Sequence, residues 1–273
     1  MINVLLFSAA SFWVDVQDKE ALVCDINSLN GCISQLPDTA QKQLPQRPKF
    51  IVNMMQQQHA MVLPLDHSSV AGVVVLSGRH TPDEMVSFIG TTELALPLHQ
   101  QAKLSLWHEI GHLENQSLQH LISSTELSEY QHEWLADIYV LWRSTKEYNH
   151  FDLAWQQYHR RNLAVINEPS NVTHWSSPYL LQVLNQYTPS QVANFSSYQA
   201  FAEDCLPKIS MIGDERFREL ASLLNVLFGS NTTTALPEYL YWRRPELARY
   251  LKPTLLQVLG IKRSSAIIDS LNL

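Results

Sequence analysis

Two hydrophobic spacings divide the chain. In the first third, short apolar runs rich in Val, Ile and Leu cover residues 4–7, 21–26, 50–54, 60–65 and 70–76. Asn-Gly, Pro and Asp-His-Ser punctuation separates them, as expected for strands joined by turns. The Pro- and Gln-rich stretch 37–48 reads as a loop. Thr81-Pro82-Asp83-Glu84 sets a capping threonine, a first-turn proline and a third-position glutamate in order, predicting the start of a short helix. From about Pro97 the spacing changes to three and four. Ala102, Leu106, Ile110 and Leu113 predict an amphipathic helix, and Ser123-Ser124-Thr125-Glu126 reads as the capping box of a second one. Leu127, Tyr130, Trp134, Ile138, Leu141 and Trp142 form the stripe of that helix, which ends near Lys146. Further helices are expected over 152–160, 178–186, 214–228 and 237–251. The pattern predicts an α+β protein with two lobes of one domain: a sheet lobe at residues 1–115 and a helical lobe at 116–273. No internal repeat or separating linker interrupts it.

With 273 residues and 45% apolar content, the chain can bury a substantial core. Charged residues make up 16%, against roughly 25% in an average soluble domain, and Gln, Asn, Ser and Thr carry the polar surface. That surface suits an exported protein better than a cytoplasmic one. A net charge of -7, with only short basic clusters such as Arg160-Arg161 and Arg243-Arg244, argues against a nucleic-acid partner. Three cysteines are too few for a disulfide framework or a Cys-rich metal site. Cys24 and Cys32 could pair in an exported protein, leaving Cys205 free, or all three could be buried thiols. Residues 1–14 are apolar or small, but they lack a basic leader region and have too short an apolar run for a signal peptide. They read as a first strand, with a truncated signal as the alternative. No stretch approaches 18 consecutive apolar residues, so no integral membrane segment is expected.

Chemistry concentrates on the first long helix. His108-Glu109-Ile110-Gly111-His112 puts two histidines one helical turn apart on one face, with a glutamate beside the first. A hydrolytic zinc site takes three protein ligands and keeps a fourth position for water. His108 and His112 can supply two ligands, and Glu109 can take the water's proton and pass it to the leaving amine. A glycine and a third histidine, three and six residues after His112, would complete one known extension, but Asn115 and Leu118 stand there. His120 and His132 lie nearby at unfamiliar spacings. Glu133 and Asp137, one turn apart on the second helix, border its apolar stripe. Two carboxylates there would repel one another and resist desolvation unless a cation or paired donors were present. Zinc with its histidines supplies both: Glu133 binds the metal and Asp137 accepts the free ring N–H of a ligand histidine.

This pairing resembles the gluzincin metallopeptidases, the thermolysin-like class of the zincin fold, whose pattern is H-E-x-x-H followed by E-x-x-x-D on the next helix. His108, Glu109, His112, Glu133 and Asp137 each match a position, and the resemblance spans only residues 108–137. It implies a zinc-dependent peptidase acting on peptide or protein substrates. It also implies a mixed sheet packed on the histidine helix, an edge strand that binds extended peptide, and a mostly helical second lobe. Gluzincins stabilise the oxyanion with a His or Tyr from the C-terminal lobe. His174 is the first candidate and Tyr179 the second, with Tyr158, His159, Arg160 and Arg161 as further possibilities.

Two rivals compete. Asn30-Gly31-Cys32-Ile33-Ser34 resembles the E-G-C-L-S segment of peptide deformylases, which add a cysteine ligand to H-E-x-x-H. No glycine-rich motif precedes it, the separation of 76 positions from Cys32 to His108 makes a long gap, and Glu133 and Asp137 are left without a role. The other rival is a catalytically inactive zincin-like binding or regulatory module. Such modules usually lose the catalytic glutamate, and Glu109 is present. The G-x-M-E-N segment common in aminopeptidases of this class is absent upstream of His108, which favours an endopeptidase. Substrate identity and oligomeric state leave no mark in the sequence.

Overall fold

A computed structural model describes residues 11–56, 58–122, 126–229 and 238–273. The first described elements form a hairpin, β1 (Ser11–Val16) and β2 (Lys19–Asp25), turning at Gln17 with φ +52°. Three short helices follow, α1 (Leu29–Ile33), α2 (Asp38–Gln41) and α3 (Pro48–Met55), and then β3 (Ala60–Pro64) and β4 (Val70–Leu76). The sheet order is β1-β2-β4-β3, with β2 parallel to β4 and the outer pairs antiparallel. The sheet is therefore mixed, with β3 at one edge. Central β4 is covered on both faces, which accounts for its near-continuous run of valines.

Alternation in the strands feeds two cores. Leu22, Cys24, Val73 and Val75 face α1–α3, where Leu29, Cys32, Ile51 and Met55 close over them. A disulfide from Cys24 to Cys32 joins β2 to α1 with 5.7 Å between Cα atoms, and Cys205 is a buried free thiol. Ala21, Val23 and Val74 face the other way, into the main core that continues through the helical part.

Residues 50–54 are helical rather than extended. Pro48 at the first helical position starts α3, and Ile51 and Met55, four apart, are the residues it buries. Phe50, Val52 and Met54, which would have formed a strand face, are exposed. Residues 81–84 do not open a helix either. They lead into a second hairpin, β5 (Glu84–Ile89) and β6 (Thr92–Pro97), joined by Gly90-Thr91 with Gly90 at φ +58°. No apolar period of 3.6 follows the capping signature; Met85 to Ile89 is rich in β-branched and aromatic residues. The expected strand at 4–7 and most of the expected capping box at 123–126 lie outside the described residues.

Helices make up the rest: α4 (Gln101–Ser117), α5 (Gln119–Ile122), α6 (Glu129–Tyr148) and α7 (Asp152–Asn167). Beyond a 3-10 turn at Pro169–His174 come α8 (Ser177–Gln186), α9 (Pro189–Asn194), α10 (Tyr198–Cys205), α11 (Asp214–Phe228) and α12 (Arg244–Ser270), the last broken at Gly260 with φ +73°. Ser128 caps α6 in a reciprocal box with Gln131. Helix α6 is the hub, buried almost continuously from Trp134 to Thr145 and packed against α4, α7, α8 and α9. The β5–β6 hairpin rests on α7 and α12, so sheet and helices share the main core. Among the described residues no helix is long and apolar enough to cross a membrane.

Candidate metal centre

The site depends on how closely α4 and α6 approach. A Cβ on Gly111 would lie 2.9 Å from the carbonyl oxygen of Ala136 and 3.0 Å from Cβ of Tyr139. Only glycine lets the two backbones meet there, and the contact sets the histidine face of α4 against the carboxylate face of α6. Nε2 of His108 lies 3.2 Å from Oε2 of Glu133, and Nε2 of His112 lies 3.7 Å from its Oε1. One ligand atom from each of His108, His112 and Glu133 falls within 4.8 Å of the others, so the three could hold a metal ion.

The donor set fits such an ion. Two ligands about 2.0–2.1 Å from a tetrahedral metal stand roughly 3.3 Å apart, close to the spacing between His108 and Glu133. Oε2 of Glu133 is buried without a well-formed hydrogen bond, an orphan that a cation would satisfy. His108 donates from Nδ1 to Oδ1 of Asp137 at 2.8 Å, so that in the neutral ring the lone pair would lie on Nε2, the nitrogen nearest Glu133.

Asp137 is fully buried and heavily bonded. Besides His108 it accepts from Gln157 Nε2 at 2.7 Å, from Arg161 Nε at 2.6 Å and Nη2 at 3.0 Å, and from the Ser176 hydroxyl. Burial opposes ionisation of Asp137, but Arg161 and His108 overcome it and hold its carboxyl well below the usual range. Burial likewise opposes charge on His108, yet the Asp137 and Glu133 carboxylates raise that imidazole to about 9. Glu133 is lowered to about 2 because its contacts with His108 and the Arg161 and His112 charges outweigh desolvation. Burial, reinforced by His108, depresses His112 to about 3, which keeps its ring in the neutral, ligating form. Without a metal, two buried carboxylates draw positive charge onto one histidine.

Glu109 faces the cleft beside these side chains and opposite Val62 of β3, and burial raises its pKa. The cleft has a volume of about 530 Å³ and runs between edge strand β3 and helices α4, α6 and α7.

The other predicted residues separate. His174 reaches the cleft from the 3-10 turn, with Nε2 3.5 Å from Oε2 of Glu133. Tyr179 does not line it: its ring stacks on Trp134 in the core and its hydroxyl accepts the backbone N–H of Ile212. Tyr158 is likewise buried, with its hydroxyl donating to the Tyr250 carbonyl, and His159 bonds Thr254 on α12 at 2.9 Å. Arg160 and Arg161 both line the cleft. His132 lies beside His112 with ring centroids 6.5 Å apart, whereas His120 is exposed on α5. Asn115, in place of the glycine of the three-histidine pattern, faces inward and bonds Tyr198, and Leu118 is buried. Cys32, tied to Cys24 on the far face of the sheet, is not free to act as a ligand, which removes the deformylase-like arrangement. Gln157 and Ser176 were not anticipated. The available signal was the four-residue spacing of Gln157 and Arg161 on one face of α7.

No family model, no characterised protein and no solved structure significantly matches this chain, so the site is interpreted from its own geometry.

Proposed function

We propose that the protein is a zinc-dependent peptidase of the gluzincin type, a zincin-like fold in which His108, His112 and Glu133 hold the metal. The observation that carries this reading is the meeting of those three side chains, with Asp137 behind His108. A zinc ion bound there would act as a Lewis acid, making water nucleophilic near neutral pH and polarising the substrate carbonyl. Glu109 takes the proton from the attacking water and returns it to the leaving nitrogen, and its raised pKa suits a group that alternates between base and acid. Asp137 fixes the tautomer and orientation of His108. His174, whose Nε2 lies 3.5 Å from Oε2 of Glu133, would donate a hydrogen bond to the developing oxyanion.

Among the described residues strand β3 pairs on one edge only, with β4, and it lines the cleft through Ala60, Met61, Val62 and Pro64. An extended peptide adds to the other edge by main-chain hydrogen bonds, so the substrate is a peptide or an unfolded protein segment. Endopeptidase action remains favoured. The Cys24–Cys32 bond supports an oxidising, extracytoplasmic setting.

Glu109→Gln tests the reading. The variant should retain one zinc per chain and lose at least a hundredfold in cleavage of a denatured protein, measured with metal content on the same sample. Undiminished cleavage would rule out this mechanism.

A further inference from the structure

Two adjacent guanidiniums line the cleft, and they are used differently. Arg161 is committed to Asp137 through two hydrogen bonds, so it serves the carboxylate behind His108. Arg160 has one hydrogen bond, from Nε to Oε1 of Gln157 at 3.0 Å, and no carboxylate within ion-pair distance among the described residues. Gln157 is itself buried and donates to Asp137, so Arg160 is tethered to the network that orients the metal ligands. That tether holds Nε and leaves both terminal nitrogens for a ligand.

A half-buried cation without a counter-ion is costly, and the lining offers no spare acid to relieve it. Glu109 and Glu133 are the cleft carboxylates; neither is within ion-pair distance of Arg160, and Glu133 faces the two histidines. The remaining ionisable lining is His59, His132 and His174. Burial and the adjacent Arg161 charge lower Arg160 to about 10, as befits a cation lacking its anion. A planar guanidinium fork matches a carboxylate in two parallel hydrogen bonds.

We propose that Arg160 binds a carboxylate of the peptide substrate close to the scissile bond, so that the enzyme selects anionic peptides. This inference rests on the peptidase reading and extends it to a substrate class. The carboxylate comes from an acidic side chain or from the C-terminus of the substrate, two sources with the same chemistry.

The test uses the zinc-loaded full chain and a matched peptide set. The parent is neutral, acetylated and amidated; one series replaces Gln by Glu at positions flanking the cleaved bond, and another frees the C-terminal carboxylate near that bond. A charge-assisted bidentate contact should raise kcat/KM about tenfold or more over the parent in one series, and the series that responds identifies the source. Arg160→Gln should bring that ratio to about one, and Arg160→Lys, which keeps the charge without the fork, should fall between. Equal rates within threefold in the wild type, or a preference that survives in Arg160→Gln, overturns the assignment and leaves the peptidase reading standing. If no peptide is cleaved, the peptidase reading fails. Calorimetric binding of the same peptides to wild type and Arg160→Gln then decides the Arg160 assignment by the same tenfold criterion, and absence of binding overturns it.

Discussion

Asp137 shows how one residue can tie a metal site to its support. Its side chain is fully buried, yet it accepts from His108, Arg161, Gln157 and Ser176. Removing it leaves the buried Arg161 charge with only the longer contact to Glu133, 3.8 Å away, and breaking such buried pairs typically costs about 3–5 kcal/mol. Asp137→Ala should lose stability of that order in denaturant unfolding and bind zinc about 10–100-fold more weakly in a chelator competition. His159 tests the opposite situation, a histidine buried neutral. Burial lowers its pKa from 6.5 to about 4, so the unfolded chain binds the proton more readily between those values. Its contribution to stability is full above pH 6.5 and is lost as pH falls toward 4. His159→Gln should flatten the decline of Tm across that window; an unchanged slope would place the titration elsewhere. At this scale the spacing in the sequence anticipated that His108, His112, Glu133 and Asp137 come together. It was silent on Gln157 and Ser176, whose roles arise only from how α7 and the segment before α8 pack on α6.

The contact between α4 and α6 governs the geometry of the ligands. Gly111→Ala would push a methyl against the Ala136 backbone and Tyr139, an overpacking worth about 1–3 kcal/mol that can be relieved only by separating the helices. That separation moves Glu133 from the histidines, so the variant should also bind zinc more weakly than wild type in the same titration; unchanged stability and affinity would contradict the close approach. The strands β2, β3 and β4 and helix α11 could be read from the chain because their apolar periods are long or strongly bounded. Residues 50–54 misled because Phe50, Val52 and Met54 alternate, while the buried pair, Ile51 and Met55, has helical spacing. The β5–β6 hairpin was missed because a proline-bearing capping signature precedes it, and its turn depends on one glycine. Helix α6 is buried on more sides than its predicted stripe implied, because α7, α8 and α9 surround it as well as α4.

At the scale of the whole molecule, the sheet separates a stabilising layer from a working one. Helices α1–α3 and the Cys24–Cys32 bond lie on the face away from the cleft. Opening that bond by Cys24→Ser, with 8 residues of sequence separation, should cost about 2–3 kcal/mol in unfolding while leaving zinc affinity unchanged. Loss of metal would show instead that the two faces are coupled. The working face brings β3, α4, α6 and α7 around one cleft, an arrangement that one-dimensional spacing could suggest only through the five matched residues. The proposed function requires a single metal centre at their meeting point, and anomalous diffraction at the zinc edge tests it most directly. One peak is expected about 2.0–2.2 Å from Nε2 of His108, Nε2 of His112 and an oxygen of Glu133. A zinc-soaked crystal with no peak there, or with its peak on other residues, would contradict it.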